Sequence, residues 1–527
     1  LKAQGLAWQT HRVADLSLKA KGDLQKQSAT LQAVGFSDAD KDSRVELQWQ
    51  GSFAQHQLTL SARAWGASMS SRMVGALDDR WQWSGRLEQL RFIQPDAGLW
   101  QQITPARLSA TQSSFRLQTP LCLQQLTSKA CLNQASWSQR QGTQLTASLD
   151  EFYLSRIKPW LPKTLTLDGK AQATLSFSQL GQNRQGRLIL NLPASQLSYT
   201  TLSGKQSFAY NKMSLIAQLT NQQLVSQLSA NFKQGVTLEG QSRHIVGQWQ
   251  ALDLQAKVNV EDVAIVQGLL PDVTGLAGRM ASSFNVSGLV NRPQLTAQLQ
   301  LSSVRLTPVV TGVEFKLPQL FLDIKPTGSV SIDGQLLAGE GQATLQGWGS
   351  VAVWSHWSMD LLIQGQNLRI AKTPQADVWL SPNIQLSATP QQVDILGQLI
   401  VPKARLRAHS VGNKAIGLSD DIVVVGEETS NTKMKLVPHM RVLLGEDILL
   451  TGSGLTSGLT GQLEITRSRL GNLLFQGEVN TKNGQFKAYQ QDLTIEQGRI
   501  LFNGVSDNPG LNVVASRKVL DETVGVT

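Results

Sequence analysis

The stretch GQFKAYQQDLTIEQGRILFNG, residues 484–504, decides the fold class. Phe486 and Ala488 alternate with polar neighbours, as do Leu493 and Ile495, then Ile500 and Phe502. Period-two alternation sends apolar side chains to one face of a strand and polar ones to the other. The stretch holds no His or Cys and no nucleophile–base pair. It reads as an amphipathic sheet whose oily face must be covered by something.

The same pattern spreads outward along the chain. In VELQWQGSFAQHQLTLSARAW the inward set is Val45, Leu47, Trp49, then Leu58, Leu60, Ala62 and Ala64, with a turn near Gly51. AQATLSFS gives Ala171, Ala173, Leu175 and Phe177; QLTAQLQL gives Leu295, Ala297, Leu299 and Leu301. WSMDLLIQG gives Trp357, Met359, Leu361 and Ile363, and GQLEITR gives Leu463 and Ile465. Gly, Asn, Asp and Pro separate these runs, as turns require. One face of such a sheet can meet water and the other cannot. A barrel or sandwich would cover the apolar face with protein, whereas a sheet curved into a U would leave a trough. Composition does not separate these.

Two places read as short amphipathic helices. In one, Leu154, Ile157 and Leu161 precede Pro162; in the other, Val263, Val266, Leu269 and Leu270 precede Pro271. They belong to a repeat. Leu154, Ile157, Leu161, Pro162, Gly169, Lys170, Leu175 and Phe177 match Val263, Val266, Leu270, Pro271, Gly278, Arg279, Phe284 and Val286 at one constant offset. Repeats of this kind suit stacked modules. The reading is one continuous β-rich body over 1–527, with N-terminal strands over 1–150 and helix-plus-strand modules over 151–290.

Charged residues are only 16 % of the 527, well below the usual share, and 58 Gln fill much of the gap. The net charge is +10. Lys and Arg are dispersed, without a cluster interleaved with aromatics, which argues against nucleic acid. No run of 18 apolar residues occurs, so no helix is long and apolar enough to cross a membrane. The chain opens on LKAQGLAWQT, neither a Met start nor a signal peptide, and stops at VLDETVGVT within an alternating pattern. It reads as a fragment of a longer protein, with any anchor or export signal outside it.

Cys122 and Cys131 lie in PLCLQQLTSKACLN, spaced to face each other across a hairpin. A disulfide there fits an oxidising compartment; two buried thiols are the alternative. His11, His56, His244, His356, His409 and His439 are scattered, with no metal-ligand spacing. Asp78–Asp79 and Asp420–Asp421 are sequence neighbours, so on a strand each pair splits between faces. GWGSVA, residues 347–352, fits a loose phosphate-loop pattern but leads into a strand. TGSGLTSG, residues 451–458, reads as a hairpin connection. No cofactor, no metal and no enzymatic activity are expected.

SPNIQLSATPQQVDILGQLIVPKARL, residues 381–406, is followed by SVGNKAIGLSDDIVVVG at 410–426. Then come RVLLGEDILLTGSGLTSGLTGQLEI, GEVNTKNGQFKAYQQDLTIEQGRILFNG and DNPGLNVVASR, ending at Arg517. In this order and spacing the segments resemble the TamB family of translocation and assembly module subunits, within the wider AsmA-like group of bridge-like lipid-transfer proteins. The resemblance is strongest over about 290–517, making 291–527 the C-terminal region of a β-groove. It implies a mostly β fold: a long, curved, predominantly antiparallel sheet forming an open U-shaped, taco-like groove with an apolar interior and a few short helices. It implies the periplasm of a Gram-negative bacterium, an inner-membrane anchor before residue 1, and a TamA-like Omp85-type outer-membrane barrel met by a tail beyond Thr527. One departure is Gln490, where the family's Ala-Tyr-Gly-Gln has Gly: either a positive φ is not needed there or the local twist differs.

The implied activity is passive movement of phospholipid between the two membranes, with acyl chains as the partners of the groove. A role in assembling outer-membrane and autotransporter proteins, by pairing their strands with open sheet edges, is the alternative. A closed β-helix or stalk would do neither. The lining candidates are Leu299, Leu301, Leu361, Ile363, Val393, Ile395, Leu463, Ile465, Val479, Phe486, Leu493, Ile495, Ile500, Phe502 and Val513. For each, ordinary core packing is the competing explanation.

Overall fold

A computed structural model describes residues 2–8, 11–23, 27–35, 43–96, 98–201, 204–353, 356–408, 435–468, 471–488, 491–505, 509–519 and 522–526. His409, Asp420, Asp421, residues 410–426 and the Tyr489–Gln490 departure lie outside the described residues. The rest is mostly β, as the alternation predicts: 35 strands and two short helices. The hairpin from Arg44–Gly51 to His56–Ala64 shows how directly pattern becomes pairing. Val45 faces Ala62, Leu47 faces Leu60 and Trp49 faces Leu58, with the turn over residues 51–55. Cross-strand apolar pairs of this kind are the stabilising unit of a sheet.

The chain divides into two units. One is Leu1–Ala256 with Gly288–Asn291, the other Lys257–Ser287 with Arg292–Thr527. Within each, most strands pair antiparallel with the next in sequence. Among the described pairings of the second unit, His356–Gln366 pairs past Leu368–Lys372 with Ala376–Ala388, and Gln392–Arg407 runs parallel to Lys435–Gly452. A parallel partner needs a long crossover, and residues 408–434 join the two.

The repeat is real at the level of backbone. Leu154–Trp160 and Val263–Leu269 are both seven-residue helices, with the same offset at each end. Each is closed by the N–H of the next Leu, Leu161 to the carbonyl of Lys158 and Leu270 to that of Gln267. Gly169 and Gly278 follow at matching positions with φ of 103° and 128°. A Cβ would lie 2.6 Å from Ser195 Oγ in the first and 2.6 Å from Val304 Cα in the second, so only Gly fits. The helices are 3-10 rather than α. Three residues per turn line up Leu154, Ile157 and Trp160, and Val263, Val266 and Leu269. Only the first of each triplet is buried, while Trp160, Val266 and Leu269 are exposed. Leu270, grouped by its sequence with the apolar face, is exposed as well.

Buried side chains gather where the strands lose register, because a bulge bends the strand that carries it. In the second unit, six successive strands from Ala376–Ala388 to Gln491–Gly504 are interrupted side by side. The breaks fall at Leu380, at Pro402, between Leu444 and Leu449, at Ser457, over residues 481–483 and at Glu496. Val401, Ala404, Ile448, Leu459 and Val479 form one buried cluster beside that line. The first unit repeats the device. Leu154, Ala171, Leu192 and Tyr210 cluster beside Glu151, Gly169 and the register shift at Asn211. Tyr210 is fully buried and donates its hydroxyl to the Asp168 carbonyl at 3.2 Å. Burial pushes its phenol above the ordinary range.

Candidate functional site: an apolar strip on one sheet face

Register in the second unit places the lining candidates in continuous rows. One row runs Leu299, Leu322, Ile332, Gly347, Leu361, Leu386, Ile395 and Pro438. The next runs Leu301, Leu320, Gly334, Leu345, Ile363, Ile384, Gly397, Met440, Ile465, Phe475 and Gly504. On the other side lies Ala297, Ile324, Val330, Gly349, Met359, Ala388, Val393 and Leu436. No polar side chain interrupts any of the three.

Closer to the line of breaks, Leu463 continues through Gly477 to Phe502, and Val479 lies between Gly461 and Ile500. Beyond the breaks, Phe486 faces Leu493 and Leu455, and Ile495 sits between Gly484 and Ala515. Val513 faces Gly498 at the far side. Seven of the fifteen candidates, Leu299, Leu301, Leu361, Ile363, Val393, Ile395 and Ile465, lie in the three rows, and the structure adds Leu320, Leu322, Ile332, Leu345, Ile384, Leu386 and Met440 to them; nearer the breaks Thr481 and Ser457 put hydroxyls on the same face. Those additions lie in alternating runs of their own, such as KLPQLFLDI, and register alone shows that they complete the rows.

The intervening row shows where polarity goes. It reads Gln298, Asp323, Ser331, Trp348, Asp360, Ser387 and Asp394. Asp360 accepts hydrogen bonds from Gln385 and Ser387. Further along, Arg369 donates twice to Asp377, at 2.8 and 2.7 Å, and this holds the Asp377 carboxyl below its ordinary range. Arg369 and Lys403 sandwich the Trp379 ring at 4.9 and 4.8 Å. These contacts tie neighbouring strands together on the polar side.

Exposure distinguishes the strip from a core. Of the fifteen candidates only Val479 is buried, at 5 %, and Val513 is exposed, at 39 %; the other thirteen are half-buried. Large aliphatic side chains in a closed interior are usually sealed. Sealed side chains lie at the line of breaks, in a second cluster of Val313, Ala338, Ala343 and Leu368 against which Ile363 packs, and at Ala297 and Val330 in the third row.

Cys122 and Cys131 face each other in a hairpin and are joined as a disulfide, with Cα atoms 4.1 Å apart. The alternative of two buried thiols falls away. Of the histidines, His56 is buried in a stack: its ring lies 4.0 Å from Trp49, and Trp83 Nε1 donates to His56 Nε2 at 2.9 Å. His439 is exposed on its strand.

Residues 1–301 match the family model described as the N-terminal domain of TamB, and residues 329–527 match that of the TamB C-terminal domain. Over 499 residues, 90 % of the chain, it is 22 % identical to the translocation and assembly module subunit TamB of Haemophilus influenzae, and it spans 37 % of that protein's length. The chain belongs to the TamB family.

Proposed function

We propose that the chain is part of a periplasmic, inner-membrane-anchored bridge that moves phospholipids passively between the inner and outer membranes of a Gram-negative envelope. The apolar strip holds acyl chains while headgroups stay in water. The observation that carries this is a surface three rows wide, uninterrupted by polar side chains, in which most of the large side chains are only half-buried. In this reading the bulges along the line of breaks curve the strands around the apolar strip, which then serves as the inner wall of a trough.

Energetics favour such a path. Each CH₂ removed from water is worth about 0.8 kcal/mol, so exposing a chain of about 16 carbons costs on the order of 12 kcal/mol. A continuous apolar wall removes most of that barrier. Many weak, equivalent contacts suit a sliding cargo better than one tight pocket. No bond is made or broken, so the role is not enzymatic. An Omp85-type barrel at the outer membrane is the partner this reading requires, in line with the relative's name as a translocation and assembly module subunit.

A charge in the strip tests it. Ile395→Asp and Ile465→Asp should each stop phospholipid transfer between donor and acceptor vesicles while leaving yield and circular dichroism near wild type. Loss of fold in both would mean that these positions are closed core. Photocrosslinkers at strip positions that capture outer-membrane client proteins instead of lipid would support the assembly role.

A further inference from the structure

The arginines of the first unit are dispersed in sequence, but the sheet gathers seven of them on one face. Rows of directly paired residues, taken on alternate positions, bring together Arg44, Arg63, Arg72, Arg86, Arg91, Arg107 and Arg116. All are exposed. Their neighbours on this face are mainly Ser, Thr and Gln, and the carboxylates among them are Glu46 and Glu88. Glu88 is already shared by Arg72 at 2.9 Å and Arg86 at 3.0 Å. Glu46 accepts hydrogen bonds from Gln48 and Gln32. Among the described residues, Arg44, Arg63, Arg91, Arg107 and Arg116 make no ion pair within 4 Å, although the charge of Arg44 also acts on Glu46.

Two arginine pairs oppose each other directly, Arg44 with Arg63 and Arg86 with Arg107. Like charges directly across a strand pair destabilise a sheet. Each pair also borders a concavity. That at Arg44 and Arg63 is about 330 Å³ and adds Arg91 with Ser61, Ser68 and Ser70. That at Arg86 and Arg107 is about 670 Å³ and adds Gln50, Gln57, Gln118 and Ser84.

We propose that these are two seats for phosphate groups on the polar face of the first unit. Guanidinium forks match the oxygens of a phosphate, and an anion between opposed arginines turns their repulsion into shared attraction. At the first seat three guanidiniums with three hydroxyls, and at the second two guanidiniums with Ser84 and the glutamine amides, can satisfy the several oxygens and the higher charge of a phosphate. One carboxylate would leave most of those donors unused. The seats lie on the face opposite the apolar side chains, so they stand whatever that side carries. Free phosphate and a phospholipid headgroup share the required chemistry.

The test compares the 527-residue chain with Arg44→Gln/Arg63→Gln and Arg86→Gln/Arg107→Gln. Inorganic phosphate should raise the Tm of the wild type, and each double variant should bind it about tenfold more weakly. Without phosphate Arg44→Gln/Arg63→Gln should melt at or above the wild type, because repulsion has been relieved, whereas Arg86→Gln/Arg107→Gln also gives up the Arg86–Glu88 pair. Flotation with phosphatidylglycerol vesicles then separates the sources. Binding that phosphate competes away assigns the seats to headgroups, whereas phosphate binding without flotation assigns them to the free ion. The proposal is overturned if neither probe binds, if acetate protects as well as phosphate, or if the control Arg187→Gln/Arg243→Gln loses as much.

Discussion

Ile395 and Ile448 sit on neighbouring strands and have the same side chain, yet their surroundings differ. Ile448 is sealed in the cluster at the line of breaks, 3 % exposed, while Ile395 is half-buried in the strip. Truncating a sealed side chain loses transfer energy and leaves a cavity. Ile448→Ala should therefore cost about 2–4 kcal/mol in urea unfolding, and Ile395→Ala less than about 1.5. Equal losses would place both in one closed core. Charge contributes at this scale too. Hydrogen bonds from Arg72 and Arg86 hold the Glu88 carboxyl below its ordinary range, as Arg369 does for Asp377. A lowered folded-state pKa stabilises fully above the unfolded value and is lost as pH falls through the folded one. Tm should thus fall on acidification below about pH 4, and Asp377→Asn should flatten part of that slope. The effect per site is small because both carboxylates remain partly open to solvent.

Elements show which local signals survive folding. The disulfide joins residues 122 and 131 across one hairpin, a short loop whose closure restricts the unfolded chain by about 2.5 kcal/mol. Reduction should speed amide exchange across residues 121–132 by up to about two powers of ten. Exchange in the strands of the second unit should not change. Strand faces, this hairpin and the repeat were all legible in sequence, because each is written in residues close together. The breaks were not read, although the sequence carries their trace. Leu493 and Ile495 are out of phase with Ile500 and Phe502, and that slip in parity is the bulge at Glu496. The helices read correctly in place but not in period. Pro159 inside the first removes a backbone donor, and seven residues are too few for a stable α-helix.

For the molecule as a whole, the sequence carried the existence of an apolar face and of a polar one, but not their maps. Neighbours in a row, such as Leu299 and Leu322 or Arg86 and Arg107, are separated by a strand and a turn, so only register shows them meeting. The same limit hid the parallel pair, whose partners are linked through residues 408–434. The central claim is that the half-buried strip is in contact with lipid. Ile395 and Leu396 provide the sharpest comparison, being adjacent in sequence but on opposite faces, with Leu396 exposed on the polar side. A photocrosslinking amino acid placed at each, followed by mass spectrometry of the protein purified from membranes, should yield phospholipid adducts at 395 and none at 396. Adducts at neither position, or equally at both, would contradict the account.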